Sequence, residues 1–124
     1  MRLVGPINTG AATGGAGAAT STGTSAMAIS GLMYAVAIKY NDAPPDGTTD
    51  LTVKTKGTSA PTKNILVISN SATDAEYLPR EDYHSTAGVA AGSNDALIPV
   101  DDFVQVVIAQ ANDADNAEVW LYLL

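Results

Sequence analysis

The sequence predicts an all-β domain of the β-sandwich or jelly-roll-like kind, preceded by a flexible Gly/Ala/Thr-rich segment. Three observations lead there. Apolar residues recur with period two in short runs, as on strands whose successive side chains face opposite ways. Clusters of Gly, Pro, Asn and Asp divide those runs. No window carries a helical period, and some seven or eight short strands at this spacing suit two packed sheets or a related barrel.

Residues 1–7 are apolar up to Pro6 and read either as an arm that docks elsewhere or as an edge strand of the domain itself. Residues 8–25 hold five Gly, five Ala and five Thr among eighteen positions. Such a stretch has little to bury against the entropy of ordering itself, so it reads as a linker. The expected organisation is therefore an arm and flexible linker over 1–25 and one sandwich domain over 26–124.

The body begins with residues 33–40. Tyr34, Val36, Ile38 and Tyr40 fall on one face, and Met33, Ala35, Ala37 and Lys39 on the other. The Pro- and Gly-containing run 41–47 ends this strand in a turn, because proline cannot continue a ladder. In 51–56, Leu51, Val53 and Thr55 point inward, while Thr52, Lys54 and Lys56 mark a wet face that suits an edge. The unbroken apolar run 65–68 predicts a strand covered on both sides. A polar turn follows at 69–74. Residues 76–84 are mixed, anchored by Tyr77, Leu78 and Tyr83 around Pro79, and 87–95 is a loop of small residues. Residues 96–100 contain Pro99, which favours an edge. The β-branched run 103–110, a polar turn at 112–116 and a last strand over 118–124 complete the chain. The last strand is apolar on both faces to its final residue. A terminus frays unless tied down, so this one belongs inside a sheet or a partner.

The chain has 124 residues, one ordinary domain, and no cysteine, which excludes disulfides and thiolate metal sites. Thirteen acids against six bases give a net charge of −7, which repels phosphate backbones and argues against nucleic acid as a partner. The longest apolar stretch, 32–38, is far below the roughly 20 residues that span a bilayer, so no membrane is expected. The N-terminus has one charge and is interrupted by Gly5-Pro6, unlike a signal peptide. A cytoplasmic site of synthesis is expected.

Catalytic and ligand-binding patterns fail one by one. His84 stands alone, and its neighbour Ser85 would point to the opposite face of a strand, whereas a triad needs members that converge. The run Asn112-Asp113-Ala114-Asp115-Asn116 has the density of acids of a calcium loop. Counted from Asp113, it puts Ala117, Glu118 and Leu124 where that loop needs an oxygen ligand, Gly and Glu. A hairpin turn with solvated carboxylates is expected instead. The glycines of 13–17 lack the Lys and the following helix of phosphate loops. The expectation is no enzyme, no cofactor and no metal.

Several segments together resemble a known class. They are Met33-Tyr34-Ala35-Val36-Ala37-Ile38-Lys39-Tyr40, Thr48-Thr49-Asp50-Leu51-Thr52-Val53, Asn64-Ile65-Leu66-Val67-Ile68 and Ala72-Thr73-Asp74-Ala75-Glu76-Tyr77-Leu78-Pro79-Arg80. Ile98-Pro99-Val100-Asp101-Asp102 and the close Glu118-Val119-Trp120-Leu121-Tyr122-Leu123 follow. Their order resembles small structural proteins encoded beside the capsid genes of tailed bacteriophages, among them capsid decoration or cement proteins. The resemblance spans roughly 32–124. It implies a β-rich subunit of the virion, docked on the lattice of the major capsid protein and assembling as trimers, with no catalytic residue to carry over. A head–tail joining or tail component is the alternative within the virion, and a carbohydrate-binding β-sandwich module is the alternative outside it.

The residues expected to meet a partner are Met1, Leu3, Val4 and Ile7 of the arm and Trp120, Tyr122 and Leu124 of the last strand. Apolar residues on both faces of 103–110 and 118–124 exceed what a small sandwich covers, so a homo-oligomer, a trimer, is expected.

Overall fold

The computed structural model describes residues 1–41, 47–58 and 60–124. Its described residues contain nine strands and no helix. They are β1 (Arg2–Asn8), β2 (Ala19–Thr24), β3 (Ile29–Tyr40), β4 (Asp50–Thr55), β5 (Asn64–Ile68), β6 (Ala75–Tyr77), β7 (Ile98–Asp102), β8 (Val104–Ala111) and β9 (Ala117–Leu123). All pair antiparallel, in two sheets. One runs β1-β9-β3-β6, with β7 also on β3; the other runs β2-β8-β4-β5. The protein is the all-β sandwich that the strand pattern predicts.

The core lies between the sheets. Met33, Val36, Ile38, Val119, Leu121 and Leu123 face Leu51, Val53, Val104, Val106 and Ile108, all buried. Leu51, Val53 and Thr55 point inward as the alternation requires. In β3 a register shift between Met33 and Ala35 turns Met33 into the core, so Val36, Ile38 and Tyr40 keep their expected face while Tyr34 does not. Burying a side chain of this size stabilises by roughly 1.5–3 kcal/mol, which is why the alternation survives everything else.

The chain end is tied down from both sides. β9 lies between β1 and β3, and the Leu124 amide donates to Leu32 O (2.9 Å) beyond the strand.

Five expectations are corrected. The segment 1–25 is no tether: β1 pairs with β9 and β2 with β8, completing one edge of each sheet. Small residues mislead here because they pack by backbone approach rather than by bulk. Ala12 and Ala19 are buried, and Gly23 lies against the backbone of Asn8 and Thr9. The run 65–68 is not covered on both sides. β5 is an edge strand with Val67 exposed, and the lysine-bearing β4 is interior to its sheet. Leu78 and Tyr83 are exposed rather than anchoring, while Tyr77 packs on the core. The carboxylate of Asp115 is not solvated: it is buried and accepts from the Asn112 amide (2.8 Å), its backbone O accepts from Ala12 N (2.7 Å), and the Asn112 side chain accepts from Gly17 N (2.9 Å). The turn expected over 41–47 falls largely outside the described residues.

Two polar groups clamp the loops. Asp102 accepts from the backbone amides of Gly57 (2.8 Å), Thr58 (3.0 Å) and Phe103 (2.7 Å). Desolvation pushes its carboxyl up, but bonds from Thr58, Gly57 and Phe103 outweigh it and hold it below the usual carboxylate range. Tyr40 is buried, its hydroxyl donating to Ser71 O (3.3 Å) and its amide to Asp74 (2.8 Å). Burial first, then Tyr77 and Asp74, push the hydroxyl from 10.0 to about 12. A folded value above the unfolded one gives stability that is complete below the unfolded pKa and lost as pH rises through the folded one. An alkaline titration followed by tyrosinate absorbance should show one tyrosine ionising near 12, with unfolding accompanying it. Ionisation of every tyrosine in one early step would contradict this.

Candidate functional site: the outer face of the larger sheet

Alternation along β9 sends Val119, Leu121 and Leu123 inward, and Glu118, Trp120 and Tyr122 outward. Cross-strand register then assembles a face. Tyr122 is opposite Leu3 on β1 and Ala35 on β3; Trp120 is opposite Ala37; Glu118 is opposite Asn8 and Lys39. On β6, Glu76 is opposite Ala37. The face has an aromatic centre on an alanine floor, with Lys39, Glu118 and Glu76 at one end.

At the other end exposed aliphatic residues gather. Leu3 is 56% exposed and Leu124 59%, with Met1 and Leu32 exposed beside them. Gly5 lets β1 close on the aromatic centre. It adopts φ +132°, and a Cβ there would meet Val119 O at 2.8 Å and the Trp120 ring at 3.3 Å. At the margin next to β6 the Arg80 guanidinium lies 5.3 Å from the Tyr34 ring centre and donates to Tyr34 O (2.9 Å).

Five of the seven residues expected to meet a partner, Met1, Leu3, Trp120, Tyr122 and Leu124, thus lie on this face or at its end. Val4 and Ile7 do not. A bulge between them makes both point inward, Ile7 fully buried and Val4 packed on the core.

His84 lies on an exposed hairpin, opposite Ala90, and the Ser85 hydroxyl accepts from the amides of Ala87 and Val89 within the same turn. Among the described residues no group of His, Asp and Glu gathers as metal ligands. The outer face offers apolar and stacking contact at Leu3, Trp120 and Tyr122, with charge at its rim.

No family model matches the chain, nor does any curated protein. Several solved structures are distantly similar. The crystal structure of FlhE is similar at 12% identity and TM-score 0.44, covering 96% of this chain and 90% of that one. A low-affinity xylan-binding module, CBM86 from Roseburia intestinalis, is similar at 13% identity and TM-score 0.44, covering 90% and 75%. The CBM32 of AlyQ, solved with 4,5-unsaturated mannuronic acid, is similar at 6% identity and TM-score 0.43, covering 88% and 74%. At these values they place no residue and no ligand on this chain.

Proposed function

We propose that this protein is a non-catalytic virion subunit of a tailed bacteriophage, which stabilises the capsid by docking the outer face of its larger sheet on the lattice of the major capsid protein. The observation that supports it is the contiguous apolar face built from Leu3, Trp120 and Tyr122 and extended by Met1, Leu32 and Leu124. A small soluble domain seldom leaves such a face uncovered, and aromatic anchors within aliphatic surroundings are typical of protein interfaces. The order of sequence segments that resembles capsid-associated proteins supplies the kind of partner.

A second reading takes this face as a sugar platform. Trp120 and Tyr122, about 7 Å apart along one strand, favour it, because flat rings stack on other planar or apolar faces. The exposed aliphatic residues favour protein instead, since Leu3, Leu32 and Leu124 offer nothing to a hydroxyl-rich ligand.

The test mixes purified chain with expanded capsids assembled from the capsid gene of the same genome. The wild type should pellet with the shells. The double variant W120A/Y122A should bind at least roughly 100-fold more weakly, because two aromatic anchors are lost. Binding to a panel of immobilised glycans, abolished in the same variant and without capsid binding, would replace the lattice by a sugar. Density confined to one vertex or to the tail in a map of the particle would replace decoration by joining.

A further inference from the structure

Residues 78–97 connect β6 to β7, and their central part is ordered without being packed. Glu81 and Ala96 exchange backbone hydrogen bonds (2.9 Å each), Ala91 N donates to Tyr83 O (2.8 Å), and Ser85 N donates to Val89 O (2.9 Å). Asp82 accepts from Asn94 N (2.7 Å). At the base, a Lys63–Glu81 ion pair (2.7 Å) and the Arg80 bond to Tyr34 O hold the hairpin to the sandwich. Yet every residue from 83 to 95 is exposed. Tyr83 and Val89, which alternation puts on one face of the stem, are 60% and 64% exposed. Holding a chain in one shape costs roughly 1–2 kcal/mol per residue, and a segment that buries nothing in its own domain does not offset that cost there. Connections of this length without packing of their own are commonly functional.

The opposite side of the molecule carries a matching recess. A groove of about 420 Å³ lies between β1 and the connection from β2 to β3, with Val4, Pro6, Ile7, Met27 and Ile29 in its wall and Arg2 at its rim. Its lining holds one base and no acid. Residues 82–95 hold Asp82 and Asp95 and no Lys or Arg, with His84 beside them. β1 forms one edge of the larger sheet, whereas the hairpin leaves the other edge, where β6 and β7 pair with β3. One chain cannot seat its own hairpin in its own groove.

We propose that this protein associates head to tail with copies of itself, the 83–95 hairpin of one copy seating Tyr83 and Val89 in the groove between β1 and the β2–β3 connection of the next. Such a contact is heterologous, and it makes a closed ring when the rotation between copies closes. This goes beyond the capsid-docking face, which it leaves free, and its test needs no capsid.

The full chain is examined by analytical ultracentrifugation at roughly 10–100 µM, the range where contacts of modest area associate. Three samples are compared: wild type, the hairpin variant Y83D/V89D and the groove variant Met27→Asp. All the substituted residues are exposed, so melting temperatures should stay close to that of the wild type. The wild type should form oligomers, and each variant alone should be monomeric or at least about 10-fold weaker. An equimolar mixture of the two variants should form a one-to-one dimer and nothing larger, because only one intact hairpin and one intact groove remain. W120A/Y122A should assemble like the wild type. A monomeric wild type, self-association of either variant as strong as the wild type's, or variants that fail to pair with one another would overturn the proposal.

Discussion

A chain lacking residues 1–24 will not fold. Both sheets lose an outer strand with this segment, β1 from beside β9 and β2 from beside β8. The strands left as edges are those that carry the core: Val119, Leu121 and Leu123 on β9, and Val104, Val106 and Ile108 on β8. Ile7, Ala12 and Ala19 leave the core as well, and the Ala117 amide loses the Thr9 hydroxyl it donates to (3.1 Å). One buried aliphatic side chain contributes roughly 1.5–3 kcal/mol and each net hydrogen bond about 1 kcal/mol. A domain with roughly 5–15 kcal/mol of total stability cannot lose two strands of ladder and core and stay folded. Circular dichroism of the truncated chain should show no cooperative melt. A sharp transition within a few degrees of the full-length protein would mean that the segment is dispensable, as a tether would be.

The sandwich is legible because burial and period two agree. Leu51-Val53-Thr55 and Val119-Leu121-Leu123 each announce an inward face, and each is buried. Where the structure departs from that rule, the cause is local and leaves no mark in periodicity. Bulges at Gly5-Pro6 and at Tyr34 shift alternation by one residue, so Ile7 and Met33 turn into the core although counting places them with Leu3 and Ala35. Residues 8–25 read as linker because pattern rules look for large apolar side chains, and close backbone packing uses none. The candidate face was half legible. The two-faced apolar character of 118–124 points to Trp120, Tyr122 and Leu124, but their meeting with Leu3 depends on β1 pairing with β9 across more than a hundred residues. The hairpin at 83–95 had a weaker signal, its glycines: Gly88 and Gly92 adopt φ of 78° and 73°, left-handed turns that a composition of Gly, Ala and Ser suggests without locating.

Gly23→Ala should be among the most damaging single substitutions in the protein, and Gly15→Ala among the most benign, although both change one glycine of the same low-complexity stretch. Gly23 sits on β2 opposite Val106, with its missing side chain directed at the end of β1. A Cβ there would collide with Asn8 O and lie 2.7 Å from Asn8 C and 2.9 Å from Thr9 Cα. These are backbone atoms that cannot swing aside. Thr9 is fixed by its amide, which donates to Ala117 O (3.0 Å), and by its hydroxyl, which accepts from Ala117 N (3.1 Å). Relief must come from parting β1 from β2, at a cost of about 3 kcal/mol or more. In a domain of this size that lowers Tm by roughly 10 °C or more. At Gly15 nothing lies within 4 Å of the new Cβ, and the backbone is not left-handed. Alanine there restricts the unfolded chain alone and should stabilise by about 0.4–1 kcal/mol, raising Tm by a few degrees. Differential scanning calorimetry of the two variants reads both effects. If 8–25 were a tether, the two substitutions would be indistinguishable, whereas packing of β2 on β1 requires them to move Tm in opposite directions.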